Sequence, residues 1–367
     1  MLAGERQVAL RLQRVASRVL SDEAYPRSRE AHPYSLANEW THGAHWELPE
    51  EDLVAFGAMC ERLLARAVRV AETALASDVA LDELALGGVR ELMRRSRARA
   101  ERNLIVRLDF ALTPSVGAYV PWLLELNGDT PGNLVEGGLL QREWGHAIGR
   151  RTAGDAIEAQ LAAAVPDALT VLHHPGDPYI VDNARWLASL STGGRCVRYP
   201  EVPAIDFAGP VYKMFRWGRL WAGRFPEVGA WLARRETGIQ EPAWGALLQH
   251  KGLLARLWEE RGDLAHVLPA TLAGPGALPD GGASGWAEKS FFGISGEEVA
   301  VVEPGAPAPV QLAGGAVWQA RVPPLRVDGL YPIVCALMVS GRFAGALVRE
   351  DDTAVSTDDI VAPIALR

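Results

Sequence analysis

The chain has 367 residues, of which 49% are hydrophobic and 22% are charged, and its formal net charge is −8. A chain of this length can bury a large core and is expected to contain two or three subdomains. The acidic balance argues against a nucleic-acid or anionic-membrane partner, because such partners bind basic protein faces.

The sequence predicts a cytoplasmic protein. No stretch of about eighteen residues is free of charges and helix breakers, so no membrane span is expected. Residues 1–20 lack the apolar segment of a signal peptide. The three cysteines, Cys60, Cys196 and Cys335, lie far apart without metal-binding spacing, which is typical of reduced thiols.

Helical periodicity dominates the first hundred residues. An uneven apolar stripe predicts a helix over residues 1–22, and residues 23–48, rich in Pro, His and aromatics, are expected to be irregular. A strong repeat with Pro49 at its start predicts a helix over 50–77. Further helix is expected over residues 80–100.

Two apolar runs near residues 107 and 125, joined by a turn-rich segment over 113–117, predict an antiparallel β-hairpin. Side chains alternate faces along a strand, so four polar residues are expected on one face of the hairpin: Arg107, Asp109, Glu125 and Asn127. Neighbouring carboxylates repel each other, and a hard cation such as Mg²⁺ carrying nucleotide phosphates would relieve that repulsion. The alternative is an ordinary solvated hairpin face.

The rest of the chain predicts an α/β unit followed by an α+β region. A helix over 133–149 precedes a strand–helix–strand unit over 168–198, and a further strand is expected over 211–215. Helices over 244–260 are followed by a flexible connection over 273–284. Five short strands close the chain: 285–289, 299–302, 317–322, 331–339 and 343–348.

Isolated polar residues in this second half suggest anion binding. Lys289 ends a strand and precedes a small-residue loop that contains Gly293 and Gly296, an arrangement that suits phosphate oxygens, although a tight hairpin is equally compatible. Lys251 is either a second phosphate ligand or a helix-surface lysine. Gln319 can read a base edge. Arg349, at the end of an apolar strand, suits phosphate or an oxyanion, the alternative being a rim salt bridge.

Other motifs exclude several chemistries. The Lys289 loop does not have the Walker A spacing, so the P-loop interpretation fails. His32, His42 and His45 lack the further ligands of a tetrahedral zinc site. The sequence has neither a Gly-x-Ser-x-Gly elbow nor a Cys/His nucleophile pair.

Taken together and in this order, the motifs resemble the glutathionylspermidine synthase family of ATP-grasp carboxylate–amine ligases. The matching pieces extend from about residue 40 to about residue 361: Arg-x-Asp-Phe, Glu-x-Asn-x-Asp-Thr-Pro, the Glu-Pro-x-Trp segment leading to Lys251, the Lys289 loop, Gln319, Asp-Gly-x-Tyr-Pro at 328–332 and the closing Arg-Glu-Asp-Asp at 349–352.

The resemblance implies an ATP-grasp fold with an N-terminal pre-ATP-grasp, Rossmann-like α/β domain, within an overall α/β and α+β multidomain chain. It implies that residues 1–100 form a mainly helical segment. Residues 101–240 would hold the metal-binding hairpin and the pre-ATP-grasp domain, and residues 241–367 the ATP-grasp lid and the C-terminal catalytic region.

The resemblance also implies a role for each site residue. Asp109, Glu125 and Asn127 would bind magnesium, and Arg107 and Arg349 would act on the acyl phosphate and the transferring phosphoryl group. Lys251, Lys289, Gly293, Gly296 and Gln319 would bind ATP. Thr130 would lie near the acid substrate, and Asp359 near a cationic amine.

The chain departs from the family pattern at the lysine loop, where Ser290, Ile294 and Glu298 replace Pro, Arg and Asn, and at Gly218, where a glutamate is usual after Trp217. Changed charges of this kind alter which acid or amine binds.

We therefore expect an ATP- and Mg²⁺-dependent ligase that joins a small-molecule or peptide carboxylate to an amine through an acyl phosphate. A catalytically degenerate nucleotide-binding scaffold and an ATP-dependent small-molecule kinase are the alternatives. The substrates and the oligomeric state are left open by the sequence.

Overall fold

The computed structural model describes residues 7–41, 43–199, 209–235, 238–293, 296, 298–306, 312, 315–355 and 359–367. Within these ranges it is a mixed α/β structure in which sixteen strands form four sheets. No helix in the described ranges combines the length and the hydropathy needed to cross a membrane.

The helices and strands differ widely in length, from the 27 residues of the longest helix to the two residues of the shortest strands. In chain order the α-helices are α1 (Pro26–Ala31), α2 (Pro33–Asn38), α3 (Glu50–Ala76), α4 (Asp78–Glu83), α5 (Arg90–Ala98), α6 (Gln141–Ile148), α7 (Ile157–Ala164), α8 (Pro178–Ser189), α9 (Trp217–Trp221), α10 (Pro226–Arg234) and α11 (Leu253–Glu259). The strands are β1 (Gln13–Ala16), β2 (Ala44–Leu48), β3 (Ile105–Ser115), β4 (Ala118–Asn127), β5 (Thr170–His173), β6 (Arg195–Arg198), β7 (Val211–Lys213), β8 (Ile239–Gln240), β9 (Ala270–Thr271), β10 (Trp286–Ser290), β11 (Val299–Val302), β12 (Ala316–Ala320), β13 (Tyr331–Val339), β14 (Arg342–Asp351), β15 (Ile360–Ala362) and β16 (Ile364–Leu366).

The central sheet is antiparallel and has the strand order β15-β14-β13-β3-β4. The hairpin of β3 and β4 therefore pairs with strands that lie more than two hundred residues later in the chain. One face of this sheet, with Leu108 and Val334, shares a core with α3 and α11, while Cys335 and Leu337 on the opposite face pack with the helices that follow the hairpin. The polar side chains of the hairpin lie on that opposite face.

Two further sheets complete the surroundings of this face. A parallel sheet has the order β6-β5-β7-β8, and a second antiparallel sheet has the order β11-β10-β12-β9. The strand–helix–strand unit predicted over 168–198 is confirmed as β5, α8 and β6, with its strands parallel. The carboxyl ends of parallel strands share one edge of a sheet, so the segments that follow β5, β6 and β7 lie side by side.

The long helix predicted over 50–77 is confirmed as α3. The helix predicted over 133–149 is also present, although its first part, Val135–Leu140, is a π-helix that continues into α6. The helix predicted over 80–100 is interrupted near Gly87. Each of the five C-terminal strands is found, split between the central sheet and the second antiparallel sheet.

The helix predicted over residues 1–22 is wrong for the described residues 7–22. Val8, Leu10 and Leu12 recur every second residue, which is the period of a strand, and Leu10 and Leu12 are buried. This segment runs extended into β1, which pairs with β2 in a three-stranded sheet completed by β16. The segment 23–48 is likewise not irregular, since it contains α1, α2 and β2.

Candidate active site

A cavity of about 700 Å³ lies where the polar face of the central sheet meets the second antiparallel sheet and the carboxyl edge of the parallel sheet. Its volume is in the range of small-molecule sites. All twelve residues singled out from the sequence line it: Arg107, Asp109, Glu125, Asn127, Thr130, Lys251, Lys289, Gly293, Gly296, Gln319, Arg349 and Asp359. The cavity is therefore the candidate active site.

Strand register places the hairpin residues as expected. Arg107 is the register partner of Asn127, and Asp109 that of Glu125, so all four side chains lie on one face. A β-bulge follows directly, where the pairing shifts between Asp109 and Phe110. A bulge re-aims neighbouring side chains, and this one lies beside the candidate site.

Asp109 is held by two arginines from different strands. Arg107 donates through Nε and Nη2 to the two carboxylate oxygens at 2.8 and 2.9 Å, and Arg349 donates through Nη1 at 3.0 Å. Asp109 is 1% exposed, so the carboxylate depends on these cations for its stability in the protein. Arg107 is fixed further by Asn133, whose Oδ1 accepts from Nη1 at 2.7 Å.

Glu125 is surrounded by lysines. Lys251 donates to its Oε2 at 2.7 Å. Burial opposes ionisation, but the charges of Lys251 and Lys289 outweigh it and hold the pKa of Glu125 well below its usual range. The carboxylate is therefore ionised at neutral pH.

Lys289 reaches the same region from β10. Its Nζ donates to the Leu124 carbonyl at 3.0 Å and to Oε1 of Gln319 at 2.7 Å. Burial lowers the pKa of Lys289 to about 8, against the opposing effect of Glu125. The other end of the Gln319 amide donates to the Leu123 carbonyl at 3.1 Å, so both amide ends are occupied in holding Lys289 against β4.

The donor set fits a hard divalent cation. Among the described residues no three His, Cys, Asp or Glu side chains form a group that could hold a metal ion. Asp109 and Glu125 supply two carboxylates, however, and Mg²⁺ typically binds one or two carboxylates together with substrate phosphates. His42, one of the three histidines considered above for a zinc site, lies outside the described residues.

The amide of Asn127 supports the same fit. Its Nδ2 points between the carboxylates of Asp109 and Glu125, at 3.2 and 3.3 Å, while its Oδ1 accepts from Gln249 at 3.2 Å. The Oε1 atom of Gln249 is buried and has no hydrogen-bond partner in the described part of the chain. Turning both amides over would let the Gln249 oxygen accept from Asn127 and present the Asn127 oxygen to a cation, with Nε2 of Gln249 then taking the position that has no partner.

The remaining predicted residues lie in the cavity wall with their own contacts. The Thr130 hydroxyl is within hydrogen-bond distance of the Lys213 and Phe215 carbonyls, at 3.0 and 3.1 Å. Asp359 forms an ion pair with Arg349. Gly293 and Gly296 line the cavity, while Ile294 and Ser295 between them lie outside the described residues.

The cavity is electropositive although the whole chain is acidic. Among its described lining residues eight are Lys or Arg and five are Asp or Glu, which gives a formal charge of +3 against −8 for the chain. Charge of this sign, focused in a cleft, favours a polyanionic ligand.

Sequence reasoning gave no role to several residues that the structure brings to this cavity or into contact with its lining. Arg216 lines it from the segment after β7, and Asn133 lines it beside Arg107. Gln249 reaches Asn127 from the segment before α11. The position of Arg216 three residues beyond an apolar strand was the available signal, since ligands bind at the carboxyl ends of parallel strands.

The chain is similar to a protein-family model, to a curated protein and to a solved structure. A family model described as "Glutathionylspermidine synthase preATP-grasp" matches residues 25–173 and 206–362. A curated protein of Haemophilus influenzae named "Putative acid--amine ligase" is 27% identical over 306 residues, which cover 74% of this chain and 76% of the relative. The solved structure of a glutathione synthetase-like effector from Globodera pallida, in its apo form, superposes with a TM-score of 0.52 at 12% identity and covers 94% of this chain and 97% of that one. The last similarity concerns the fold alone.

Proposed function

Because the chain belongs to the glutathionylspermidine synthase pre-ATP-grasp family, we propose that it is an ATP- and Mg²⁺-dependent acid–amine ligase with an ATP-grasp architecture. The observation that carries the proposal is the meeting of two carboxylates, two arginines and two lysines in one electropositive cavity. The name of the Haemophilus influenzae relative supports the same reaction class.

The cavity residues are proposed to have three roles, namely binding ATP, holding Mg²⁺ and binding the acid substrate. Lys251 and Lys289 bind the phosphates of ATP, with Gln319 holding Lys289 in place. The adenine is proposed to lie among aliphatic side chains of the second antiparallel sheet and its neighbours: Leu268, Ala287, Val299, Val301 and Leu325. The glycines at 293 and 296 are proposed to lie over the phosphates.

Asp109, Glu125 and Asn127 would hold Mg²⁺, which neutralises charge on the phosphate oxygens. Arg107 and Arg349 bind the carboxylate of the acid substrate and the phosphoryl group that it receives, since guanidinium groups suit both. Their present contacts with Asp109 keep them in position before substrate arrives.

An unactivated carboxylate does not condense with an amine in water, so ATP must supply the activation. A carboxylate oxygen attacks the γ-phosphorus, the bond to the leaving ADP oxygen breaks, and an acyl phosphate forms. The amine nitrogen then attacks the acyl carbon, inorganic phosphate leaves, and the nitrogen loses a proton to give the amide. Asp359 is proposed to lie near the incoming amine, and Thr130 near the acid.

The test is incubation of the protein with ATP, Mg²⁺ and mixed pools of amino acids, dipeptides and polyamines. The proposal expects ADP to form only when a suitable acid is present, and continued turnover to need an amine as well, with a product whose mass is acid plus amine minus water. A stable phosphorylated product without amide would indicate a kinase instead. ATP binding without ADP release across the pools would indicate a scaffold.

A further inference from the structure

The carboxyl edge of the parallel sheet forms the end of the cavity that the proposed chemistry does not use. His174 follows β5, Tyr199 follows β6, and Phe215 and Arg216 follow β7, and all four line the cavity. Ligands of open α/β sheets bind outside the carboxyl ends of the strands. This edge is therefore a binding position by its topology, and it lies beside the reaction centre on the central sheet.

Three arginines follow β7 along this edge. Arg216 and Arg219 are partly buried, Arg224 is exposed, and all three line the cavity. The Nη1 atom of Arg216 is buried and has no hydrogen-bond partner in the described ranges. Neither Arg219 nor Arg224 makes a side-chain hydrogen bond or ion pair with any described residue. Within the described ranges, none of the three guanidinium groups forms an ion pair with an acidic side chain.

Aromatic rings also line this end of the cavity. The rings of His174, Tyr199 and Phe225 contact one another, with centroid distances of 4.9 to 6.0 Å. Asp177 also lines the cavity here, and its Oδ1 accepts from the backbone N–H of Ile180 at the start of α8. Asp177 and Glu39 line the cavity near α8, and with the three arginines they leave a formal charge of about +1 among these described lining residues.

Arg216 remains a cation despite its surroundings. Burial lowers its pKa to about 10, which still leaves it protonated at neutral pH. Its electrostatic neighbours are Glu125, Asp129 and Arg107 on the side of the reaction centre and Arg219 on the other. A buried charged N–H without an acceptor costs free energy, and a ligand oxygen at this point would recover it.

We propose that this edge, with Arg216, Arg219 and Arg224, binds a second anionic group of the acid substrate, a carboxylate or a phosphate. The inference rests on the proposed ligase function. It makes the preferred acid an amino acid or peptide with two anionic groups, one activated between Arg107 and Arg349 and the other held at the arginine edge. Guanidinium groups bind both carboxylate and phosphate oxygens, and the test separates the two.

The experiment measures binding by calorimetry without ATP, using acids matched except for the second charge. L-Glutamate and glycyl-L-glutamate are compared with L-glutamine and glycyl-L-glutamine, and O-phospho-L-serine is compared with L-serine. The proteins are the wild type, the double variant Arg219→Gln/Arg224→Gln, and Arg234→Gln as a control. Arg234 is an exposed arginine of α10 that does not line the cavity. The same acids are then assayed for kcat, KM and the KM for ATP.

The expected result is that the wild type and the control bind at least one charged acid tenfold or more tighter than its neutral match. The double variant should reduce that preference to threefold or less, leaving the affinity for the neutral match and the KM for ATP unchanged. Preference for the glutamate acids identifies a carboxylate site, and preference for phosphoserine a phosphate site. Equal binding within every pair, no binding of any charged acid, an unchanged preference in the double variant, or a loss that falls on ATP instead would each overturn the proposal.

The ligase activity and the anion site give distinguishable results in these experiments. Arginine-dependent binding of charged acids without any ADP release would overturn the ligase function and leave the anion site standing. Amide formation with no charge preference would support the ligase and overturn the anion site.

Discussion

Asp109 and Glu125 are register partners across β3 and β4, yet each carboxylate is bound by its own cations. Arg107 and Arg349 hold Asp109, and Lys251 holds Glu125. The alternation of charge allows the buried carboxylate of Asp109 and the half-buried carboxylate of Glu125 to lie on one face before any ligand is present. It also means that the proposed metal and phosphates would enter a site whose groups are already oriented, which lowers the cost of binding.

The first prediction concerns Asp109→Asn. The variant keeps the shape of the side chain but removes its charge, so we expect ADP release to fall by about a hundredfold or more and Mn²⁺ affinity, measured by electron paramagnetic resonance, to fall with it. The matched control is Glu350→Gln. Glu350 is also buried and paired with an arginine, Arg14, at 2.7 Å, but it does not line the cavity. Equal losses of Mn²⁺ affinity in the two variants would contradict the assigned metal site.

The second prediction concerns pH. Because the pKa of Lys289 is lowered to about 8, its amine loses the proton as the pH rises through that value, and phosphate binding needs the charged form. The KM for ATP is therefore expected to rise above pH 8, and ATP binding near that pH should take up a proton. Calorimetry in buffers of different ionisation enthalpy measures the proton directly. The variant Lys289→Arg, which stays charged, should lose the alkaline rise.

The third prediction tests the contact between Lys289 and Gln319. Gln319→Glu places a carboxylate where the amide oxygen accepts at 2.7 Å, which favours the charged lysine. The alkaline rise in the KM for ATP should move to higher pH. Gln319→Met, which has no acceptor of this kind, should raise the KM for ATP at all pH values without moving the rise upward. A profile unchanged in both variants would show that Gln319 does not position Lys289.

The fourth prediction concerns stability. Burial raises the pKa of Glu136 to about 8 from 4.5, so the folded state holds a proton that the unfolded state has lost between these values. The stability from this group is complete below pH 4.5 and is lost as the pH rises through 8, with a slope of about 1.4 kcal/mol per pH unit.

Glu136→Gln removes that pH dependence. The free energy of unfolding of the variant, relative to that of the wild type, should therefore rise by a few kcal/mol between pH 4.5 and pH 8, measured by urea unfolding. Glu143→Gln serves as the opposite case, because Glu143 accepts from the Ser28 hydroxyl at 2.6 Å and its loss should destabilise the protein at pH 7. Parallel pH curves for wild type and Glu136→Gln would contradict the prediction.

The sequence by itself determined the local patterns that carry the site. Strand alternation placed Arg107 with Asp109 and Glu125 with Asn127, because side chains repeat with period two along a strand, and the structure confirms that pairing. The helical repeat likewise fixed α3. The same local logic misjudged residues 7–16, where a period of two was taken for an uneven helical stripe. Short apolar segments are decided by the strand that pairs with them, here β2.

Only the tertiary structure decided which distant residues these local elements contact. Arg349 reaches Asp109 because β13 pairs with β3 and β14 pairs with β13, and no local signal specifies pairing across more than two hundred residues. Three sheets enclose one cavity, and this packing produces the burial that lowers the pKa of Lys289. It also buries the Nη1 atom of Arg216, which has no hydrogen-bond partner among the described residues. Local propensity specifies which face a side chain takes, whereas long-range packing sets its neighbours, its solvation and therefore its chemistry.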